Sequence, residues 1–129
     1  MLFAQLHHHP LEDVAALAAE DEVLELQAAV RAVRIERPLA GYLVDLAQAT
    51  RGHAQLRLGC SPRGTLALLR MTQARAALSG RDYAIPEDVK TVAVSTLAHR
   101  LMLDTKARYA GRSKEDVVRE LLAQVPVGL

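Results

Sequence analysis

The sequence predicts an all-α domain, a small bundle of about five helices with at most a minimal two-stranded clip. Half of the 129 residues are hydrophobic but only 3% are aromatic, so the core must be assembled mainly from Ala, Leu and Val. Apolar residues recur at helical spacings of three and four in several segments. A chain of this length forms one domain and buries roughly two-thirds of its unfolded surface.

Charge and cysteine content exclude several functional classes. The 16 basic and 15 acidic residues give a net charge of +1, so the chain lacks the electrostatic footprint of a nucleic-acid-binding or membrane-surface protein. No stretch approaches the ~18 apolar residues of a membrane helix, and no basic region precedes an apolar run as in a secretory signal. One cysteine excludes an internal disulfide, which makes the cytoplasm the expected location.

The first ten residues, Met1–Pro10, are expected to be a lead-in segment left from the junction with an upstream domain, and residues 11–129 to be the helical domain. Phe3 and Leu6 are apolar without a visible partner. His7–His9 is either a weak metal-binding run or the remnant of a tag. Because three consecutive histidines cannot all face one site in regular structure, no metal site is predicted.

Two helical patterns precede residue 33. A short one runs from Leu11 to about Ala18, and a stronger one from about Glu20 to Arg31. The apolar stripe of the stronger pattern comprises Val23, Leu26 and Val30. Val33–Ile35 then alternates as a short strand would.

The next helix opens at Pro38 and ends at Gly52. Its apolar stripe comprises Leu39, Tyr42, Leu43 and Leu46. His53, just beyond this helix, and His99 each lack a second ligand at metal-binding spacing, so both are predicted to be solvated or hydrogen-bonded structural residues.

The helix that organises the chain runs from Ser61 to about Ser79. Ser61 can cap it, Pro62 stands where a helix best tolerates proline, and Gly80 closes the far end. Its predicted stripe is Ala67, Met71, Ala74 and Leu78, widened by Leu66, Leu68 and Leu69. A helix apolar on so many sides is expected to be the buried axis of the bundle.

Arg63 lies in the first turn of this central helix. Unpaired backbone donors, the positive end of the helix dipole and a planar guanidinium together suit an anion. Arg70 follows seven residues later on nearly the same line of the helix. The alternative is a surface arginine or a structural ion pair, which the local pattern alone favours because charges are common in first turns.

The remaining segments complete the bundle. Gly80–Asp82 predicts a turn, and Tyr83–Ile85 a strand able to pair with the earlier strand-like segment. A helix opens at Pro86 and reaches about Arg100, and the last helix follows Ser113, which forms a variant capping box with Asp116. The inward residues predicted for these two helices are Val89, Val92, Ala93, Leu97, Val117, Leu121 and Leu122.

The chain carries no catalytic motif. It has no G-x-x-x-x-G-K-[ST] phosphate loop, no paired carboxylates at a plausible site, no Cys/His metal grouping and no Ser/His/Asp arrangement. The chain alone is therefore not expected to be an enzyme.

Ordered blocks of the sequence resemble the C-terminal lid of the MoxR family of AAA+ ATPases. These blocks are His9–Leu11, Leu26–Val30, Gly59–Gly64, Leu66–Leu69, Gly80–Tyr83, Pro86–Val89, Leu97–Leu101, Gly111–Ser113 and Val117–Val118. Their common order gives the resemblance its specificity, and it covers nearly the whole chain.

The resemblance implies a helical lid that follows an ATP-binding α/β core domain. It assigns Arg63 the role called sensor 2, in which the arginine reaches the γ-phosphate of ATP held by that core. Ser61, Pro62 and Gly64 then form the helix start near the nucleotide. Losing the γ-phosphate removes a contact worth roughly 1.5 to 3 kcal/mol, enough to shift the lid between two orientations. The complete protein is expected to use ATP and magnesium.

The resemblance also implies a homo-oligomeric ring, commonly a hexamer, and a chaperone-like role toward proteins with a von Willebrand factor A domain. The phosphate loop, magnesium-binding acid, sensor 1 and arginine finger of the family are missing from these residues, so this chain alone is expected neither to bind ATP tightly nor to hydrolyse it. Cys60 stands where the family has Ala or Ser. It is either a reactive thiol beside a helix start or a small residue tolerated in a tight turn.

Two other functions stay open. A freestanding helical interaction module would use its apolar surfaces for a protein partner, and Arg63 would only form an ion pair. A helical DNA-binding domain is disfavoured by the balanced charge and by the lack of a basic helix.

Overall fold

A computed structural model describes residues 14–128 of the chain. Within them the helices are α1 (Glu20–Ala32), α2 (Arg37–Gly52), α3 (Pro62–Leu78), α4 (Pro86–Leu97), α5 (Thr105–Tyr109) and α6 (Lys114–Gln124). A 3-10 turn (Ala98–Arg100) follows α4, and the two strands are β1 (Leu56–Leu58) and β2 (Met102–Leu103). The predicted all-α architecture with a minimal two-stranded element is confirmed.

The small sheet lies where the sequence did not predict it, because β1 pairs antiparallel with β2. The predicted clip between residues 33–35 and 83–85 is instead a single parallel bridge between Arg34 and Tyr83. The backbone hydrogen bonds at this bridge run from Arg34 N to Asp82 O at 2.8 Å and from Ala84 N to Arg34 O at 3.0 Å. They join the end of α1 to the turn before α4.

The apolar stripes predicted for α2 and α4 are buried. The buried members are Leu39, Tyr42, Leu43 and Leu46 on α2 and Val89, Val92, Ala93 and Leu97 on α4. Val117 and Leu121 of α6 are buried as well, and the capping box between Ser113 and Asp116 is present. Helices α2, α4 and α6 pack with α3 around one hydrophobic core.

Only part of the apolar surface predicted for α3 is buried: Leu68 lies in the core and Leu69 packs against it. Met71 is 46% exposed and Leu78 is 84% exposed, and the face turned to the core carries small and polar residues beside Leu68. Those buried residues are Gly64, Leu68, Thr72, Gln73 and Ala76. Because Leu and Ala surround this helix on all sides, hydrophobicity did not mark the buried face.

Helix α1 forms as predicted, but it has no buried residue. Val23 and Leu26 of its apolar stripe are exposed, and Val30 is half-buried. The short helix predicted up to Ala18 is wrong within the described residues, since 14–19 are not helical. Those residues are all exposed, and a short segment without packing cannot offset the cost of helix nucleation.

The N-terminal predictions for Met1–Pro10 and for His7–His9 fall outside the described residues. Among residues 14–128, no helix is both long enough and apolar enough to cross a membrane.

Candidate functional site

Helix α3 starts with the cap that the sequence predicts. Ser61 is the N-cap, and its Oγ accepts a hydrogen bond from Gly64 N at 3.2 Å. Pro62 occupies the first helical position, where its missing N–H leaves no partner unsatisfied. The cap fixes the direction in which the first turn, including Arg63, leaves the loop.

The loop before α3 is tied to the last turns of α2. Cys60 N donates to Thr50 Oγ1 at 2.8 Å, and the Thr50 hydroxyl donates in turn to Ala47 O at 2.6 Å. Arg51 Nε donates to Cys60 O at 2.7 Å. Both backbone groups of Cys60 are thereby satisfied, so the start of α3 is held at a fixed position on α2.

Two glycines allow the backbones to meet this closely. A Cβ on Gly59 would lie 2.6 Å from Arg51 Cα, and a Cβ on Gly64 would lie 2.6 Å from Cys60 Sγ. Neither distance is possible for a real side chain, so both positions require glycine as the loop stands. Close packing explains the two glycines on either side of the Cys60–Arg63 segment.

Cys60 itself is a core residue. It is 1% exposed, and its thiol donates to Ser61 O at 3.3 Å. A thiol without access to solvent is not placed to react with a reagent from outside. The structure supports the second explanation, a small residue that fits a tight turn.

Arg63 projects from this anchored turn and is exposed. Among residues 14–128 its guanidinium makes neither an ion pair nor a side-chain hydrogen bond. The structural ion pair that the sequence left open is therefore not formed within the described part of the chain. Arg70, on the same side of α3, donates to Gln73 Oε1 at 2.8 Å.

The turn between α3 and α4 is fixed by an ion pair whose carboxylate is buried. Arg81 donates to both carboxylate oxygens of Asp88, at 2.8 Å and 2.6 Å, and Ile85 N donates to the same carboxylate at 2.9 Å. Asp88 has a side chain only 4% exposed. The Arg81 hydrogen bonds hold the pKa of Asp88 below its usual value, with the Ile85 N–H adding to the effect. This pair joins two sequence blocks that carried the resemblance.

A family model described as AAA lid domain matches residues 48–121. The chain belongs to the AAA lid domain family. Over 127 residues, 98% of its length, it is 39% identical to the uncharacterized protein YeaC of Bacillus subtilis and covers 40% of that protein. It is 33% identical over 113 residues to Chaperone MoxR1 of Mycobacterium tuberculosis, covering 81% of this chain and 30% of that relative.

The structural comparison agrees with the sequence comparison. The lid superposes on a crystal structure of a candidate ATPase from Cytophaga hutchinsonii with a TM-score of 0.85 and 27% identity. The match covers 97% of the lid and 40% of that chain. The resemblance to the lid of a MoxR-family AAA+ ATPase is confirmed, and the lid spans less than half the length of these relatives.

The two described histidines of the lid are hydrogen-bonded, as predicted. His53 Nδ1 accepts from Gln55 N at 3.2 Å, and its Nε2 lies 3.7 Å from Glu120 Oε1. The ring of His99 contacts Ser95 O at 3.0 Å through Nδ1. Among residues 14–128, no group of three or more His, Cys, Asp or Glu could hold a metal ion.

Sequence reasoning found Arg63 and its cap but missed the residues that arrive from elsewhere in the chain. Thr50 and Arg51 come from the end of α2, and Arg100 comes from the 3-10 turn after α4. No local pattern marks them, because their contacts with the start of α3 and the loop before it join residues that are nine or more positions apart. The only available signal for Arg100 was the Leu97–Leu101 block of the resemblance.

Proposed function

We propose that this lid belongs to an AAA+ ATPase of the MoxR type and that Arg63 is its sensor 2 arginine. In that role Arg63 binds the γ-phosphate of an ATP·Mg²⁺ held by the core domain of the complete protein. The observation that carries the proposal is an exposed guanidinium without an ionic partner among residues 14–128, on the first turn of a capped and anchored helix. A helix start and an arginine together suit a phosphate.

The local geometry assigns different parts to the neighbouring residues. Pro62 has no N–H to offer, and the Gly64 N–H is already bonded to Ser61 Oγ. These three residues therefore shape and orient the turn, and the Arg63 side chain supplies the contact to the phosphate. Ser61 and Gly64 act through position, since their polar groups satisfy each other.

The anchoring of this turn explains how a small contact moves the whole lid. Cys60 is bonded to Thr50 and Arg51 on α2, and α3 packs on α4, which contributes to the same core. When the contact between Arg63 and the phosphate forms or breaks, the helices of the lid therefore move together as one rigid body. A charge-assisted contact of roughly 1.5 to 3 kcal/mol shifts a two-state equilibrium by about 10- to 100-fold when the γ-phosphate leaves.

The wider role follows from the same family. The complete protein would form a homo-oligomeric ring, commonly a hexamer, and act as a chaperone-like ATPase on proteins with a von Willebrand factor A domain. Lid rotation would then convert ATP hydrolysis into work on such a client.

The test is the steady-state ATPase activity of the complete protein carrying Arg63→Ala. We expect kcat/KM for ATP to fall by about tenfold or more, the effect of one charge-assisted hydrogen bond, with an unchanged melting temperature. The matched control is Arg75→Ala, which removes an exposed arginine from the last turn of the same helix. Unchanged kinetics in Arg63→Ala would contradict the sensor assignment.

A further inference from the structure

A second arginine, Arg100, lies against the first turn of α3. Its Cδ is 3.5 Å from the point where a Cβ on Gly64 would stand. Gly64 directly follows Arg63 in the chain, so the aliphatic part of Arg100 crosses the turn that carries Arg63. Arg63 on α3 and the side chain of Arg100 from the 3-10 turn therefore both lie at one helix start.

Arg100 is held in direction but only partly used. Its Nε donates to Thr96 O at 3.1 Å, which orients the side chain from the end of α4. Among residues 14–128 its two terminal nitrogens make no hydrogen bond and no ion pair. A guanidinium has five N–H donors, so four of those of Arg100, an exposed residue, have no partner among residues 14–128.

An open groove of about 380 Å³ runs beside this arginine between α3 and α4. Its lining residues are Ala67, Arg70, Met71, Ser95, Thr96, His99 and Arg100. Arg63 lies one helical turn before Ala67 and so on the same line of α3. The groove contains basic side chains and no carboxylate, so its charge is not neutralised by the described residues that line it.

The same groove contains an unpartnered buried polar group. Thr96 is 5% exposed, and its Oγ1 has no hydrogen-bond partner among the described residues. Buried hydroxyls in native proteins are nearly always bonded to protein, water or ligand. This hydroxyl, on the residue whose carbonyl orients Arg100, therefore lacks a polar partner within the described part of the chain.

We propose that Arg100 is a second anion-binding residue that contacts phosphate oxygens of the same nucleotide as Arg63. The inference rests on the proposed function, since the nucleotide comes from the core domain. A triphosphate carries several anionic oxygens in a row. Two arginine side chains at one helix start match such a ligand better than they match a single carboxylate. Arg63 then binds the terminal phosphate, and Arg100 adds contacts to phosphate oxygens of the same nucleotide and so raises its affinity.

The test compares nucleotide affinity in the complete protein with Arg100→Ala, Arg100→Lys, Arg63→Ala and the control Arg75→Ala. The probes are a slowly hydrolysed ATP analogue and ADP, with the dissociation constants read by fluorescence and the melting temperature recorded for each variant. We expect Arg100→Ala to weaken binding of the ATP analogue by about 10- to 100-fold. Arg75→Ala should stay within about twofold of wild type.

Arg100→Lys separates phosphate binding from a structural role. A lysine can reach Thr96 O or a phosphate but cannot serve both with a guanidinium's geometry, so we expect a partial loss of affinity at a normal melting temperature. A loss of affinity in Arg100→Ala that comes with a matching fall in melting temperature, both restored by lysine, would show a structural role and overturn the inference.

The variants also distinguish the two proposals. Wild-type affinity in Arg100→Ala, with a loss in Arg63→Ala, would overturn the role of Arg100 alone and direct attention to an acidic protein segment as the occupant of the groove. Wild-type affinity in Arg63→Ala would contradict the proposed function itself.

Discussion

Replacing Gly64 by alanine should destabilise the lid through one atom, the thiol of Cys60. The added Cβ would lie 2.6 Å from Cys60 Sγ, about 1 Å inside normal carbon–sulfur contact distance. Cys60 is buried and its backbone is fixed from both sides by Thr50 and Arg51, so the thiol can retreat only by rotating about χ1 inside a packed core or by moving the loop. Overpacking of this kind costs about 1 to 3 kcal/mol.

The cost is offset in part by the helix itself. Alanine is favoured over glycine inside a helix by up to about 1 kcal/mol, so Gly64→Ala should lower the free energy of unfolding by about 1 to 2 kcal/mol in total. In a Cys60→Ala background the clash disappears, and the same substitution should become neutral or stabilising. The coupling free energy between the two sites is then about 1 to 3 kcal/mol.

The assay is urea unfolding of the 129-residue chain, followed by far-UV circular dichroism for wild type, both single variants and the double variant. Equal slopes of the unfolding free energy against urea concentration would show that the change lies in the folded state. An equal cost of Gly64→Ala with and without the Cys60 thiol would refute the close packing at this turn.

Two further predictions concern the ion pair and the isolated lid. Asp88→Asn should lower the free energy of unfolding by about 1 to 3 kcal/mol, because the amide removes the charge opposite Arg81 and keeps only one of the two acceptor oxygens; thermal melts measure this. Since the pKa of Asp88 is lowered on folding, its contribution is complete above the usual value of 3.8 and is lost as pH falls through the lower folded value. Acid titration of Asp88→Asn should lack that loss. The isolated chain should show no ATPase activity and at best ~1 mM nucleotide affinity by calorimetry.

The helices with large aliphatic side chains on one face were predictable from the sequence. Leu39, Leu43 and Leu46 on α2 mark the buried stripe without ambiguity, and their burial follows. On α3 the pattern found Leu68 but missed the rest of the buried face, because Gly64, Thr72 and the other residues there are small or polar and the period of hydrophobicity does not detect them. Thr72 is satisfied by its own helix, with Oγ1 donating to Leu68 O at 2.8 Å.

Long-range pairing was the other part that sequence could not supply. Strands β1 and β2 are three and two residues long, too short for alternation to reveal them, and their pairing joins distant parts of the chain. The residues of the candidate site likewise fall into a local group, which the sequence predicted, and a long-range group, which it did not. The cap at Ser61 and the position of Arg63 are local and were predicted, whereas Arg51 and Arg100 reach the same turn only through the fold.

The most direct test of the account is the preference of the complete protein for ATP over ADP, measured as the ratio of the ADP and ATP-analogue dissociation constants. If Arg63 contacts only the γ-phosphate, Arg63→Ala should reduce this ratio by about tenfold or more while leaving ADP affinity unchanged. A ratio equal to that of wild type, or an equal loss of affinity for both nucleotides, would contradict γ-phosphate sensing by this lid.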